Sequence, residues 1–370
     1  MESVDDLNDA IAEGRAEALN AFGNGEVYLE KLVQRARHVE VQIIADKHGQ
    51  VVHLFERDCT VQRRNQKIVE RAPALYLDDD KRHEVCQAAV RLASHAKYEN
   101  AGTVEFLQDS DSGEFYFIEV NPRVQVEHTV TEEITGIDIV KTQIKIAEGG
   151  AIGSENLGVP EQNGITMRGH AMQCRITTED PENNFIPDYG TIAAYRSASG
   201  FGVRLDAGTA YAGAKINRAY DSLLVKLTTR GNTPREVNQR MLRALREFRI
   251  RGVATNLKFL ENLLSLDDFV NANYTTKFID QTPSLFQFSR RRDRATRLLR
   301  YVGETIVNGN SAVKGRPKPL SMEAPKAPIS SRVVTPSGSK QILTDRGPKG
   351  LADWLLEQKA VQITDTTFRD

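Results

Sequence analysis

The sequence predicts an α+β protein, on three observations: two hairpin signals with period-two alternation, several stretches with apolar residues three and four apart, and a late run rich in proline. The first helix is predicted near residues 4–22. Ser3 and Asp6 stand where a cap belongs, and Val4, Leu7, Ile11, Ala18, Leu19 and Phe22 recur at helical spacing until Gly23 supplies a stop. From Val27 onward the pattern turns to strands, with VEVQIIA and VVHLF separated by DKHGQ, and the basic segment QRRNQK follows. Residues 78–96 read as a helix. TVEFL and EFYFIEV then flank QDSDSG as a second hairpin, and residues 138–147 form a helix ended by Gly149 and Gly150.

Residues 169–227 carry short strand patterns with glycine turns. Thr233, Pro234 and Glu236 start an amphipathic helix through Val237, Met241, Leu245 and Phe248, and residues 255–266 and 282–302 also read as helical. Between Asn308 and Ser339 the composition shifts to Pro, Ser, Gly and Lys, the signature of a linker. After it come a short helix near residues 351–358 and an apolar strand, AVQIT, leading into DTTFRD.

With 370 residues, 40% hydrophobic and 27% charged, the chain can bury two or more cores. Lysine and arginine number 49 against 50 acids, which leaves no global field to draw nucleic acid or an anionic membrane. Cys59, Cys86 and Cys174 are odd in number and widely spaced, which argues against a disulfide framework or a zinc site. The sequence shows neither an export signal nor a membrane-spanning run, and a cytoplasmic compartment, or a mitochondrial matrix in a eukaryote, is expected.

The second hairpin carries the chemistry. A turn centred near Asp111 to Gly113 sets Glu105 opposite Glu119, and two facing carboxylates repel unless a cation lies between them. Hard oxygens from two carboxylates and the Asn121 amide suit magnesium or manganese. The alternation then continues, with Glu119, Asn121, Arg123, Gln125 and Glu127 on one side and Val120, Pro122, Val124 and Val126 on the other. A solvent-facing strand carries the same pattern. The opposed Glu105, the FYFI run before it and Pro122, which takes the strand out of the sheet, favour a site.

The runs FYFIEVNPRVQVEHTVTEEITGIDIV, VYLEKLVQRARHVEVQI and ERDCTVQRRNQK resemble the biotin carboxylase component of the biotin-dependent carboxylase family. NNFIPDYGTI, YRSASGFGVRLD, FRIRGVATN and TDTTFRD are similar to its pyruvate-using branch. The resemblance implies a partial ATP-grasp domain over residues 1–150, a biotin carboxylase C-terminal β/α domain over 151–275, a helical allosteric and linker region over 276–340, and the start of a TIM barrel over 341–370. It implies a ligase that uses ATP and bicarbonate to carboxylate biotin and passes the carboxyl group to pyruvate, giving oxaloacetate.

By the same resemblance Glu30, Lys31 and Val33 would contact adenine and His38 the ribose, with Gln62 and Lys67 near phosphate and bicarbonate. By themselves Glu30 and Lys31 read as a solvated charge pair. Glu105, Glu119 and Asn121 would hold Mg2+ or Mn2+, and Arg123 with the backbone of Gln125 and Val126 would hold bicarbonate, for which a planar guanidinium fork is suited. Glu127 would act as general base and Arg175 would stabilise the biotin enolate, while His128 and His170 match nothing catalytic. Arg249, Arg251 and Arg294 match an acetyl-CoA activator site, although a charged helix face looks the same. Asp370 and Arg369 would be a metal ligand and a pyruvate contact of the carboxyltransferase barrel.

The implied partners are bicarbonate, a biotin carrier domain, acetyl-CoA and further copies of the chain, tetrameric in the family; an acetyl-CoA-binding, oligomer-forming module and a fragment of a related acyl-CoA carboxylase are the alternatives. The family's glycine-rich phosphate loop and its biotin-bearing segment are not found here and are expected outside Met1 to Asp370. Little carboxylase activity is therefore expected of the chain alone.

Overall fold

The computed structural model describes residues 6–208, 210–288, 298–299, 301–303, 329–335 and 338–344. The helix α1 (Leu7–Phe22) is closed by Gly23 in the left-handed region, and it buries none of its residues. The first predicted hairpin is β1 (Ala36–Ala45) and β2 (Val51–Arg63), and QRRNQK forms the tight turn into β3 (Gln66–Ala72), with Arg64 and Asn65 at positive φ. Asp78 caps α2 (Asp79–His95) by accepting from the Lys81 amide. The second hairpin, β4 (Asn100–Asp109) and β5 (Phe115–Asn121), follows as predicted.

The chain leaves β5 at Pro122, and there the predicted alternation gives way. Residues 123–127 form a bend into α3 (His128–Thr135), a helix that the alternation concealed, and α4 (Ile139–Ala147) comes next, capped by Asp138. In the second half β6 (His170–Thr177) leads to three minor antiparallel pairs. These are β7 (Glu179–Asp180) with β8 (Ile186–Pro187), β9 (Gly190–Thr191) with β12 (Lys215–Ile216), and β10 (Ala194–Arg196) with β14 (Arg249–Arg251). Two longer strands, β11 (Val203–Ala207) and β13 (Leu223–Gly231), join the main sheet. Thr233 caps α5 (Pro234–Glu247), whose Glu236 carboxylate reaches back to the Asn232 amide, and α6 (Leu257–Leu264) and α7 (Asp267–Val270) follow.

Eight strands form one antiparallel sheet in the order β11-β13-β6-β3-β2-β1-β4-β5, which runs without a break from the first half of the chain into the second through the β3–β6 pair. Each face is covered in a different way. Val39, Val41 and Ile43 of β1, with Val104 and Phe106 of β4, pack on Val85, Cys86 and Ala89 of α2. The intervening residues His38, Glu40 and Gln42 are equally buried and face the opposite side. A larger core joins Ile176 and Leu227 of the sheet to Met241 and Leu245 of α5 and to Phe259, Leu260, Leu263 and Leu264 of α6. The segment after α7 then returns to the first half: the Thr276 amide donates to the Ala36 carbonyl, Arg37 to the Tyr274 carbonyl, and the Tyr274 hydroxyl to Asp58 at 2.6 Å.

Two predictions need correction. The helix read over residues 282–302 begins as a 3-10 turn, Pro283–Phe286, because Leu285 packs into the core where the chain turns. The stretch read as linker to Ser339 holds β15 (Ile329–Thr335), paired antiparallel with β16 (Gly338–Thr344). The helix and strand expected after residue 350, and the barrel start, lie outside the described residues. Among the described residues no helix is long and apolar enough to cross a membrane. Phe259 is fully buried against the rings of Phe185 and Phe286 in a leucine-rich core, so Phe259→Ala is expected to lower unfolding free energy in denaturant titrations by about 3–5 kcal/mol.

Candidate active site

Strand register builds the site as a single row of charges. Glu119 of β5 stands opposite Glu105 of β4, Glu105 opposite Glu40 of β1, and Glu40 opposite Arg57 of β2. Three carboxylates in a line would repel strongly, and two cations cancel the repulsion. The fully buried Arg57 donates through Nε to Glu40 Oε1 at 2.5 Å, and through its terminal nitrogens to Gln42, Thr103, Thr131 and Gln125. Lys67, reaching over from β3, places its ammonium 2.5 Å from Glu40, 2.8 Å from Glu105 and 2.7 Å from Glu127.

Glu127 enters from the bend before α3 and is almost fully buried. Its second oxygen accepts from Arg175 of β6 at 3.1 Å, while Arg175 Nε donates to Glu70 of β3 at 2.6 Å. Gln125 donates to Glu105 at 2.7 Å, and Lys226 Nζ donates to the Val126 carbonyl, so the bend is tied at both sides. Asn121 donates to both Glu105 at 3.0 Å and Glu119 at 3.1 Å, and accepts from the exposed Arg123. His38 Nε2 lies 2.9 Å from Glu105 Oε2, and its Nδ1 faces the Gln62 amide at 2.8 Å.

The electrostatics follow from these contacts. Burial disfavours the Glu40 carboxylate, but Arg57 and Lys67 more than offset it and hold its pKa at about 2. Glu105 is likewise lowered against burial, by His38 and Lys67. Lys67 and Arg175 are both raised despite burial, by the carboxylates around them. Burial pushes the Cys59 thiol up.

Tests of metal fit give two answers. Glu105, Glu119 and Asn121 offer hard oxygens; the neutral Asn121 amide N–H group donates to both carboxylates while its oxygen accepts from Arg123, so the amide would turn over to ligate a cation between the two carboxylates. Among the described residues two tighter groups, His38 with Glu40 and Glu105, and Glu40 with Cys59 and Glu127, have metal-like spacing. Lys67 occupies the carboxylates of both, and the Cys59 thiol stays protonated, so these groups are an ion-pair network.

A groove of about 910 Å³, lined by Leu32, Gln34 and Arg37 and by Tyr274, Lys277, Phe278 and Gln281 among others, includes no residue of the row; Arg37 adjoins His38 in β1. Val33 is buried next to this groove, and Glu30 is exposed just before it. Lys31 donates to the Tyr116 hydroxyl at 2.6 Å. Of the predicted residues, Glu105, Glu119, Asn121, Lys67, Gln125, Glu127, Arg175, His38 and Gln62 therefore converge. Arg249 and Arg251 lie apart on β14, both exposed, with Arg249 opposite Arg196. Arg294, Arg369 and Asp370 lie outside the described residues.

Sequence reasoning missed Glu40, Arg57, Glu70 and the wall at residues 273–282. The signal for Glu40 was present, since VEVQIIA alternates polar and apolar residues as the second hairpin does.

Residues 1–154 match the family of the carbamoyl-phosphate synthase L chain, ATP binding domain, and residues 173–281 match the biotin carboxylase C-terminal domain family. The chain is 53% identical over 367 residues to the pyruvate carboxylase of Staphylococcus aureus, covering 99% of this chain and 32% of that protein. It therefore spans about a third of the length of this curated relative. A Rhizobium etli pyruvate carboxylase structure with the allosteric activator acetyl coenzyme-A is similar with a TM-score of 0.78 and 60% identity, over 87% of this chain and 30% of that one. The biotin carboxylase domain dimer of Hydrogenobacter thermophilus 2-oxoglutarate carboxylase, in complex with MgADP, ADP and bicarbonate, is similar with a TM-score of 0.72 and 40% identity, over 77% of this chain and 61% of that one.

A pH series checks the row. Glu40 has an ordinary pKa of 4.5 and a folded value of about 2, so its contribution to stability is complete above pH 4.5 and is lost as pH falls through about 2. Unfolding midpoints should decline over that window, and less steeply in Glu40→Gln. Lys67→Met leaves three carboxylates facing one another and is expected to lose about 3–5 kcal/mol in denaturant unfolding at neutral pH.

Proposed function

We propose a function from one premise, that the chain belongs to the biotin-dependent carboxylase family: it supplies the metal-nucleotide and bicarbonate side of a biotin-carboxylating active site. The carboxyl group would pass to pyruvate elsewhere in the whole polypeptide. The observation that carries this reading is the meeting of Lys67, Glu127 and Arg175 beside the Glu105–Glu119 pair.

ATP would lie in the groove near Glu30, Lys31 and Val33, with His38 and Gln62 toward its sugar and phosphates. Glu105, Glu119 and Asn121 would hold magnesium or manganese, which neutralises phosphate charge when bound. Arg123, exposed and held by Asn121 and the Val124 carbonyl, would turn its guanidinium to bicarbonate together with Lys67 and the backbone of Gln125 and Val126. Glu127 would accept the bicarbonate proton. Both its oxygens are engaged, one by Lys67 and one by Arg175, so an arriving anion must draw one of these cations away for the base to act. Arg175, once drawn toward the anion, is placed to stabilise the charge that develops on biotin.

The exposed Arg249 and Arg251 support a second role, binding of acetyl-CoA phosphates, in an assembly of several copies.

Titration calorimetry with ADP, with and without magnesium, tests the primary reading. The wild-type chain should bind ADP more tightly with magnesium, and Glu105→Gln with Glu119→Gln should weaken that magnesium-dependent part by about tenfold or more while leaving metal-free binding intact. Equal affinity with and without magnesium in the wild type would remove the metal assignment. For the second role, acetyl-CoA should bind, and Arg249→Ala with Arg251→Ala should reduce its affinity; unchanged affinity excludes that site.

A further inference from the structure

Glu70 takes no part in the roles above, yet it is a fully buried carboxylate whose two oxygens have distinct partners. Oε1 accepts from Arg175 Nε at 2.6 Å, and Oε2 accepts from the Gln173 amide at 3.0 Å. Gln173 stands directly opposite Glu70 across the β3–β6 pair. The far side of the Gln173 amide is fixed in turn, because its Oε1 accepts from the Thr129 hydroxyl at 2.6 Å, and Thr129 lies 2.8 Å from the Thr228 hydroxyl. Glu70 thus has no freedom to rotate away from Arg175 without breaking a chain of buried hydrogen bonds.

The consequence falls on the guanidinium plane. Arg175 is planar and carries its donors in fixed directions, so anchoring Nε on Glu70 sets where Nη2 points, and Nη2 points at Glu127. A salt bridge with Glu127 alone would not require this anchor. Without it, Arg175 could rotate to meet Glu127 with two parallel hydrogen bonds, the geometry guanidinium and carboxylate prefer, and the guanidinium would no longer be free to turn to the charge that develops on biotin. Sequestering a second carboxylate here is costly, since burial, aided by the nearby Glu127 charge, pushes Glu70 above the ordinary carboxylate range against the pull of Arg175.

We propose that Glu70 is a positioning residue for Arg175, holding the guanidinium in an orientation that touches Glu127 through one nitrogen only and leaves it able to swing to an anionic substrate. Gln173 and Thr129 lock that orientation from behind. The inference rests on the roles proposed above for Arg175 and Glu127.

The test uses the full-length carboxylase polypeptide that carries this segment, and two rates: bicarbonate-dependent ATP cleavage without biotin, and its stimulation by free biotin. In Glu70→Gln the biotin-stimulated rate should fall by about tenfold to a hundredfold, while the biotin-independent rate stays within about twofold of wild type. A parallel fall in both rates would mean a merely structural role and overturn the proposal, as would biotin stimulation close to wild type. Should Glu70→Gln not fold, Gln173→Met removes one hydrogen bond from the same carboxylate and should lower biotin stimulation selectively by about fivefold; an unchanged ratio overturns the proposal. A wild-type enzyme without any biotin stimulation would instead defeat the underlying reading of the site, and Arg175→Gln, which should lose stimulation whatever Glu70 does, separates the two failures.

Discussion

The arrangement depends on one ammonium group. Lys67 binds three carboxylates that come from three separate elements: Glu40 in the middle of the sheet, Glu105 on the next strand and Glu127 on the bend before α3. Without that charge the register of the sheet itself would be unfavourable, because it aligns Glu119, Glu105 and Glu40 side by side. With it, the row becomes a place where negative charge is concentrated, desolvated and held in fixed positions. Arg57 does the same at the inner end of the row, but buried beyond reach of any ligand. The two cations therefore divide the work, one fixing the scaffold and the other standing at its open side.

Much of this was legible in the sequence, and the rest was not for identifiable reasons. In the second hairpin Glu105 does face Glu119, but only through a register shift between Glu105 and Phe106; nearer the turn the pairs are Phe106 with Phe117 and Gln108 with Phe115, a register that by itself would not align the two carboxylates. The polar run after Pro122 was harder. Residues 123–127 keep a strand-like alternation in sequence while the backbone bends into α3, and Gln125 and Glu127 reach the site through that bend. Glu40 lies in an alternating strand whose polar side reads as solvent-facing, and Glu70 is a single glutamate in a mixed strand; in neither does composition show that both faces are covered. Tyr274 was invisible for a different reason: its partner Asp58 lies 216 residues earlier.

The β1 strand shows how one alternating pattern can serve two interiors. Val39, Val41 and Ile43 pack under α2, as any amphipathic strand would, and the polar residues between them are also buried but satisfied by ion pairs and hydrogen bonds. A buried polar face of this kind is rigid only when every member has a partner, which ties the conformation of the site to the integrity of the whole network.

The return of the segment around Tyr274 to Asp58 and Ala36 has a consequence for how the molecule comes into being. One wall of the groove is made from residues near the start of the described chain and the other from residues near 280, and the hydrogen bonds between them close a loop of more than two hundred residues. Contacts of such long sequence separation form after the local ones, since the entropy of closing the loop must be met first. On the ribosome, the hairpins and the carboxylate row can assemble while the groove has only one side. The space between these walls is therefore a late product of synthesis, and a nascent chain halted before Tyr274 would carry the charges of the site without that groove.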